Sequence, residues 1–228
     1  MSRDKDIHDM FNSIAARYDA ANHILSFGLD KYWRKKAVKL ANAGDGADVL
    51  DICCGTGDLT FAFGKYSRAA SITGCDFSEE MLKIAKQKTK TFNNKKYDWV
   101  KADCATADFN GRKFDIISCG FGVRNLTGRT ASLQNIRNLL KPDGKFCILE
   151  FSLPQNRVLR WFALCYLKLV PLFGAAVTAN RAAYGYLSRT IQRWAETVDL
   201  RGELSAAGFA DVKIYDLSFG IVRIYLAQ

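Results

Sequence analysis

The feature that most constrains this chain is one run, Val49-Leu50-Asp51-Ile52-Cys53-Cys54-Gly55-Thr56-Gly57-Asp58-Leu59-Thr60. A strand-forming apolar stretch stops at a loop with two glycines and resumes with helical periodicity. Glycine leaves the backbone bare, so a ligand can come close to the chain itself. A strand ending in such a loop and feeding a helix opens an open α/β sheet, where ligands sit at the carboxyl ends of the strands.

The rest of the chain repeats this rhythm. β-rich runs at 47–53, 71–77, 97–103, 114–121 and 145–151 alternate with helix-period segments at 59–66, 79–91 and 129–140. Ser78 stands where an N-cap is needed, and Pro142-Asp143-Gly144 stops the third helix and turns the chain. Strand–helix alternation predicts a parallel sheet covered on both faces, and right-handed crossovers make it doubly wound. Two segments fall outside the rhythm. Residues 5–42 form a helical cover before the first strand, and 152–208 a helical, aromatic insertion before the tail. The runs at 211–217 and 219–226 are expected to pair as final strands. No repeat or linker divides the chain, so one domain over 1–228 is expected.

Composition narrows the function classes. With 49% hydrophobic residues the chain is too apolar for a disordered one. The net charge of +10 admits nucleic acid, an anionic membrane or an acidic substrate as partner. Lys83, Lys86, Lys88, Lys90, Lys95 and Lys96 read as a solvated helix face and loop. Seven cysteines without a C-x-x-C pair argue against a disulfide framework or zinc site, and for reduced thiols in a cytoplasmic protein. The start, MSRDKDIHDMF, has no apolar signal core. The apolar stretch at 158–177 is broken by Arg160, Lys168 and Pro171, so no membrane span is expected.

The glycine loop suits two nucleoside cofactors. Asp76 closes the second run about 20 residues past the glycines, where a carboxylate accepts ribose hydroxyls. A dinucleotide site wants G-x-G-x-x-G, but Thr60 stands at the third glycine position. Asp58 opens the helix, a poor neighbour for pyrophosphate, while Asp51 suits the ammonium of a methionine moiety. No G-x-x-x-x-G-K-[ST] run is present, so a nucleoside triphosphatase is not supported. S-adenosylmethionine is therefore the expected cofactor. Asp103 and Cys104, after the third strand, are placed to meet its adenine. The candidate cofactor set from the strand ends is Asp51, Gly55, Thr56, Gly57, Asp76, Phe77, Asp103 and Cys104. No metal is expected.

Longer motifs are more particular. Met10-Phe11-Asn12-Ser13-Ile14-Ala15-Ala16-Arg17-Tyr18-Asp19 leads to Asn22, Leu25-Ser26-Phe27-Gly28 and Trp33-Arg34. Gly120-Phe121-Gly122-Val123-Arg124-Asn125, Leu149-Glu150-Phe151-Ser152, Tyr184-Gly185-Tyr186-Leu187 and Phe219-Gly220-Ile221-Val222 follow. Through these the chain resembles, over nearly its whole length, the ubiquinone/menaquinone biosynthesis C-methyltransferase family, whose members include demethylmenaquinone methyltransferases. The resemblance implies a seven-stranded class I methyltransferase sheet with its last strand antiparallel. It implies a methyl transferred from S-adenosylmethionine to a ring carbon of a polyprenylated quinol precursor, a demethylmenaquinol or a demethoxy-type benzoquinol. It places Arg124 and Asn125 near acceptor and cofactor, and Tyr18 in the cover over the cofactor. In one stretch the chain departs: Arg189 stands at an acidic position, and a proline usual after it is missing.

Carbon methylation requires a nucleophilic ring carbon, which an ionised neighbouring hydroxyl supplies. Arg124 is expected to stabilise that phenolate, Asn125 to orient ring or water, and Tyr184 to bond a ring oxygen. The competing reading has Arg124 paired with an Asp, only holding its loop. His8 and His23 are candidate bases, and Arg181 a further acceptor-side candidate. The stretch 161–177 suits a prenyl tail or a membrane surface, against a buried helix pair or a homodimer contact. Rival functions are an O- or N-methyltransferase for a soluble small molecule, an RNA-binding or RNA-modifying protein, and a non-catalytic cofactor-binding subunit. Nucleic acid is not the expected partner, since no recognised RNA-binding appendage is present.

Overall fold

The computed structural model describes residue 10 and residues 12–92, 95–104, 106–178 and 180–228. His8 and Phe11 lie outside the described residues, as do 5–9 of the expected cover. The cover continues as a short 3-10 turn, Ala15–Arg17, then α1 (Tyr18–Leu25) and α2 (Leu29–Ala41). The sheet units follow as β1 (Asp48–Ile52), α3 (Asp58–Tyr66), β2 (Ser71–Asp76), α4 (Glu79–Thr89), β3 (Lys96–Lys101), β4 (Phe114–Gly120), α5 (Arg129–Leu139) and β5 (Leu140–Phe151). The insertion is α6 (Arg157–Thr178), α7 (Arg181–Thr197) and α8 (Leu200–Ala206), before β6 (Val212–Leu217) and β7 (Val222–Ala227).

The seven strands form one sheet in the order β3-β2-β1-β4-β5-β7-β6. β1 pairs in parallel with β2 and β4, β2 with β3, and β4 with β5. β7 runs antiparallel between β5 and β6, so only the last strand is reversed. The order turns back at β1, and the switch point lies at the carboxyl ends of β1 and β4. Successive residues of a strand face opposite sides. Leu50, Ile52, Ile117 and Ile148 pack on one face with α5 and α8. Val49, Ile72, Ile116 and Leu149 pack on the other with α2 and α3. Both faces are covered, which is why β1 has no polar alternation except Asp51.

Ser78 caps α4 as expected, accepting from the Met81 N–H at 3.2 Å. Three expectations change. Pro142-Asp143-Gly144 does turn the chain, but inside β5: Phe114 pairs with Leu140 and Ile116 with Lys145, so residues 141–144 bulge out. Proline lacks a ladder donor and is tolerated at such a bulge. The final strands are separated by residues 218–221, not one residue, with Ser218 and Phe219 at positive φ. And Pro171 does not interrupt its helix. α6 is 22 residues long and continues past it to Thr178, and the Leu167 carbonyl, which a proline cannot serve, accepts the buried Ser188 hydroxyl at 2.6 Å. By length and composition α6 alone among the described helices could cross a membrane, with a mean hydropathy of 1.6. It packs against α7 and α1.

Candidate active site

The glycine loop is built from backbone that only small residues permit. Cys53, Gly55 and Gly57 all have positive φ. A Cβ on Gly57 would come within 2.7 Å of Trp99 and 2.9 Å of Phe61. A Cβ on Gly55 would meet nothing within 4 Å, so that backbone faces open space. The Gly55 N–H donates to Asp76 Oδ2 and the Ser78 N–H to Oδ1, both at 2.8 Å. This fixes the Asp76 carboxylate at the end of β2. Burial pushes Asp76 up to about 6 against the pull of its backbone donors. A carboxylate in that state gains from further donors, and a ribose diol offers two.

Asp51 is fully buried behind the loop. Its oxygens accept from Thr60 at 2.6 Å and Ser118 at 2.7 Å. Burial drives Asp51 up to about 7 despite those two donors. Each carboxylate oxygen thus accepts from one hydroxyl and keeps a second lone pair for a further donor. The Cys104 sulfur lies under the loop, accepting from the Cys53 N–H at 3.4 Å and 3.7 Å from Cys75 Sγ. The Cys104 thiol in turn donates toward Cys75, whose own thiol donates to the Ala102 carbonyl. Asp103 is exposed, and its carbonyl starts the turn after β3. Phe77 is half-buried beside Asp76. The seven cysteines are free, as expected.

The N-terminal segment lies across this loop. Thr56 donates its hydroxyl to Asp19 at 2.5 Å, and Ser78 donates to Asn12 at 2.6 Å. Lys88 joins Asp19 at 2.9 Å to Asp58 at 2.6 Å. So Thr56 of the glycine loop directs its hydroxyl to the cover, and Lys88 is not a solvated lysine. On the other side Tyr166 donates to the Leu25 carbonyl at 2.6 Å.

Between the cover, the sheet edge and the α6–α7 pair lies a cavity of about 380 Å³. Tyr18, Arg34, Phe121, Arg124, Phe151 and Tyr184 bound its inner end, and Leu159, Phe162 and Phe219 its outer one. Phe162 is 59% exposed and Phe219 81%, so the outer end is a greasy mouth. At the inner end two buried polar atoms have no hydrogen-bond partner among the described residues: Arg124 Nε and the Tyr184 hydroxyl. Burial and the nearby Tyr18 push Tyr184 up to about 12 against the pull of the Thr178 hydroxyl, so it is a donor and not an anion. Burial likewise raises Tyr18, against the Asn22 bond and the charges of Arg124 and Arg34.

The structure thus brings Arg124, Tyr184 and Tyr18 onto one wall. Asn125 is not on it; its Oδ1 accepts from Tyr186, which is, at 3.0 Å. Of the expected cofactor residues only Tyr18 lines the cavity. Arg189 is exposed and off the wall, because a 3.6-residue period sends Tyr184, Leu187 and Ile191 inward and Arg189 outward. Arg181 is exposed too. His23 is bonded through Nδ1 to Asp30 at 2.7 Å; Asp30 lines the cavity, and Arg34 also pairs with it. Burial would raise Asp30, but Arg34, Ser26 and His23 hold it below the usual carboxylate range.

Three partners escaped the sequence reading. Arg124 pairs with Glu150 and not with an aspartate, at 2.7 Å with side chains 5% and 0% exposed. The signal was available: an acid closing the apolar run Cys147-Ile148-Leu149-Glu150 needs a buried cation. Thr60 and Ser118, the donors to Asp51, gave no signal of their own.

Over residues 1–228 the chain matches the ubiE/COQ5 methyltransferase family. It is 37% identical to a demethylmenaquinone methyltransferase of Lactobacillus johnsonii over 225 residues, 98% of this chain and 92% of that one. It is 34% identical over 224 residues to a ubiquinone/menaquinone biosynthesis C-methyltransferase of Shewanella frigidimarina, 96% of this chain and 88% of that one. A solved S-adenosylmethionine-dependent methyltransferase from Aquifex aeolicus shares the fold, with a TM-score of 0.61 at 16% identity over 87% of this chain and 90% of that one.

Proposed function

The chain belongs to the ubiE/COQ5 methyltransferase family, and on that premise we propose that it methylates a ring carbon of a polyprenylated quinol, using S-adenosylmethionine. The observation that carries the acceptor is the pair of unpartnered donors, Arg124 Nε and the Tyr184 hydroxyl, at the inner end of an apolar chamber. Leaving a buried donor unmade costs about 1–3 kcal/mol, so two on one wall mark where ligand oxygens belong. A hydroquinone has two ring oxygens, and its prenyl tail suits the apolar walls and open mouth. The RNA reading has no such support, since the chamber is apolar.

When bound, S-adenosylmethionine supplies a methyl group already electrophilic on its sulfonium, so no metal activation is needed. Asp76 would hold its ribose, Gly55 and Gly57 its backbone approach, and Asp103 with Cys104 its adenine. Asp51 would face its ammonium from behind the loop, Thr56 would stay in the loop with its hydroxyl on Asp19, and Tyr18 would belong to the cover that closes over it. On the acceptor side Arg124 Nε donates to a ring oxygen and favours its phenolate, whose charge reaches the adjacent carbon. Arginine holds its own proton throughout. Tyr184 donates to the other oxygen, and Asn125 steadies Tyr186 beside the ring. Phe121 and Phe151, with centroids 4.5 Å apart, keep water from the reacting carbon.

The chamber mouth also supports a contact with the inner face of the membrane. Val158, Trp161, Phe162, Leu172 and Phe173 of α6 are exposed, and the chain is strongly basic. Binding should be stronger to anionic than to neutral vesicles; equal, negligible binding to both, or a homodimer that covers this face, would remove the membrane contact. The acceptor is tested by offering short-tail demethylmenaquinol, demethoxy-type benzoquinols, soluble phenols and amines with labelled cofactor. Label on a quinol class alone is expected; label on soluble phenols or amines alone would overturn the reading.

A further inference from the structure

Glu150 is fully buried at the end of β5 and has no part in the chemistry above. Its Oε1 accepts from Arg124 Nη1 at 2.7 Å and from the Phe151 N–H at 2.9 Å. Its Oε2 accepts from the Arg124 backbone N–H at 3.3 Å. Arg124 Nη1 donates in addition to the Phe121 carbonyl, and the guanidinium lies 5.6 Å from the centroid of the Phe151 ring. The arginine is therefore held by its head, by its own backbone and across one face. Nε is left as the donor that nothing among the described residues takes.

We propose that Glu150 is a positioning residue for methyl transfer: it aims Arg124 Nε at the acceptor's ring oxygen and, by opposing the guanidinium charge, sets how acidic that ring hydroxyl becomes. This rests on the quinol reading. The balance matters because two demands conflict. A bare buried guanidinium would ionise the hydroxyl readily but hold the anion so strongly that its carbon becomes a weak nucleophile. A guanidinium paired with a carboxylate still donates its hydrogen bond and leaves the phenolate basic. Screening is slight in so buried a place, so the carboxylate's charge is felt at the ring. Other groups face the pair as well. Tyr225 of β7 and Cys119 of β4 face Glu150, and Asp51 of β1 faces Cys119. Tyr18 of α1 faces Arg124, with Arg34 of α2, Tyr184 of α7 and Asp19 facing Tyr18. Of these only Glu150 is a carboxylate hydrogen-bonded to Arg124.

The experiment uses the full chain, with a 2-prenylated 1-naphthol as an inert ring whose ionisation is read by absorbance, alongside the pH profile of kcat. In Glu150→Gln the bound naphthol should ionise about one pH unit lower, a tenfold shift in its equilibrium. The acid limb of kcat should move the same way while its plateau falls about tenfold. A folded Glu150→Gln protein with the naphthol midpoint unchanged or raised would overturn the proposal. Losing one partner of a buried pair can prevent folding, so Glu150→Asp is the second variant. It keeps the charge but withdraws it by a methylene, so the midpoint should stay near wild type while the plateau falls; a wild-type plateau would overturn the proposal. Wild-type protein that transfers no methyl to any quinol would defeat the quinol reading itself, whereas wild-type turnover with an unshifted Glu150→Gln variant would refute only the role of Glu150.

Discussion

Replacing Asp51 by asparagine should stabilise this protein more at pH 8 than at pH 5. Asp51 is fully buried, and burial moves its carboxyl from 3.8 to about 7 in the folded state. A raised acid contributes its full stability below the unfolded value and loses it as pH climbs through the folded one. Between pH 3.8 and about 7 the unfolded chain releases a proton that the folded chain retains. The loss amounts to about 1.4 kcal/mol per pH unit, or about 4 kcal/mol in all. Of that, about 2.5 kcal/mol falls between pH 5 and pH 8. Asparagine has no such proton. It is nearly the same shape, and because the Thr60 and Ser118 hydroxyls can each donate or accept, both can still bond to it. Urea unfolding of both proteins at the two pH values measures the effect. The other raised carboxylate, Asp76, is common to both and cancels. A stability difference between the proteins that is the same at pH 5 and pH 8 would show that Asp51 titrates normally in the folded state, and the argument would fail.

Tyr184→Phe should separate stability from activity. It removes a buried hydroxyl that has no hydrogen-bond partner among the described residues, so unfolding stability should hold or rise by about 1 kcal/mol, while quinol turnover falls about tenfold for one lost hydrogen bond. Lower stability together with normal turnover would contradict this. Gly174→Ala should crowd the same ring, because its Cβ would lie 2.1 Å from Tyr184 Cγ. Alanine favours a helix by about 1 kcal/mol over glycine, but overpacking costs about 1–3 kcal/mol. A thermal melt should therefore show little gain or a loss, with turnover reduced; a clear rise in Tm with full turnover would refute the packing. Ser188→Ala should destabilise by about 1–3 kcal/mol, since it strands the Leu167 carbonyl that Pro171 cannot serve. An unchanged midpoint in urea would show that the carbonyl finds another donor.

Much of the fold was readable because local rules and global packing agree. Val49 to Ile52 reads as a strand buried on both faces, and it lies in β1, an interior strand of the sheet. Ser78, Gly57 and Asp76 announce a cap, a tight turn and a strand end through their own chemistry. What could not be read depends on residues far apart in the chain. Pro171 looks like a helix breaker until Ser188, on the next helix, satisfies the carbonyl it leaves. Thr56 looks like part of the cofactor loop until Asp19, from the cover, takes its hydroxyl. Arg189 looks like a changed pocket residue until the helical period turns it to solvent. Arg124 was found through its motif, but its counter-charge was not, since Glu150 lies on another strand end and only the fold joins them.

The claim that the acceptor is methylated on carbon is tested most directly with a short-tail demethylmenaquinol carrying deuterium at the open ring position. Incubated with the protein and S-adenosylmethionine, it should give a product that has gained a methyl and lost the ring deuterium, both read in one mass spectrum. A methylated product that keeps its deuterium would place the methyl on oxygen and contradict the account.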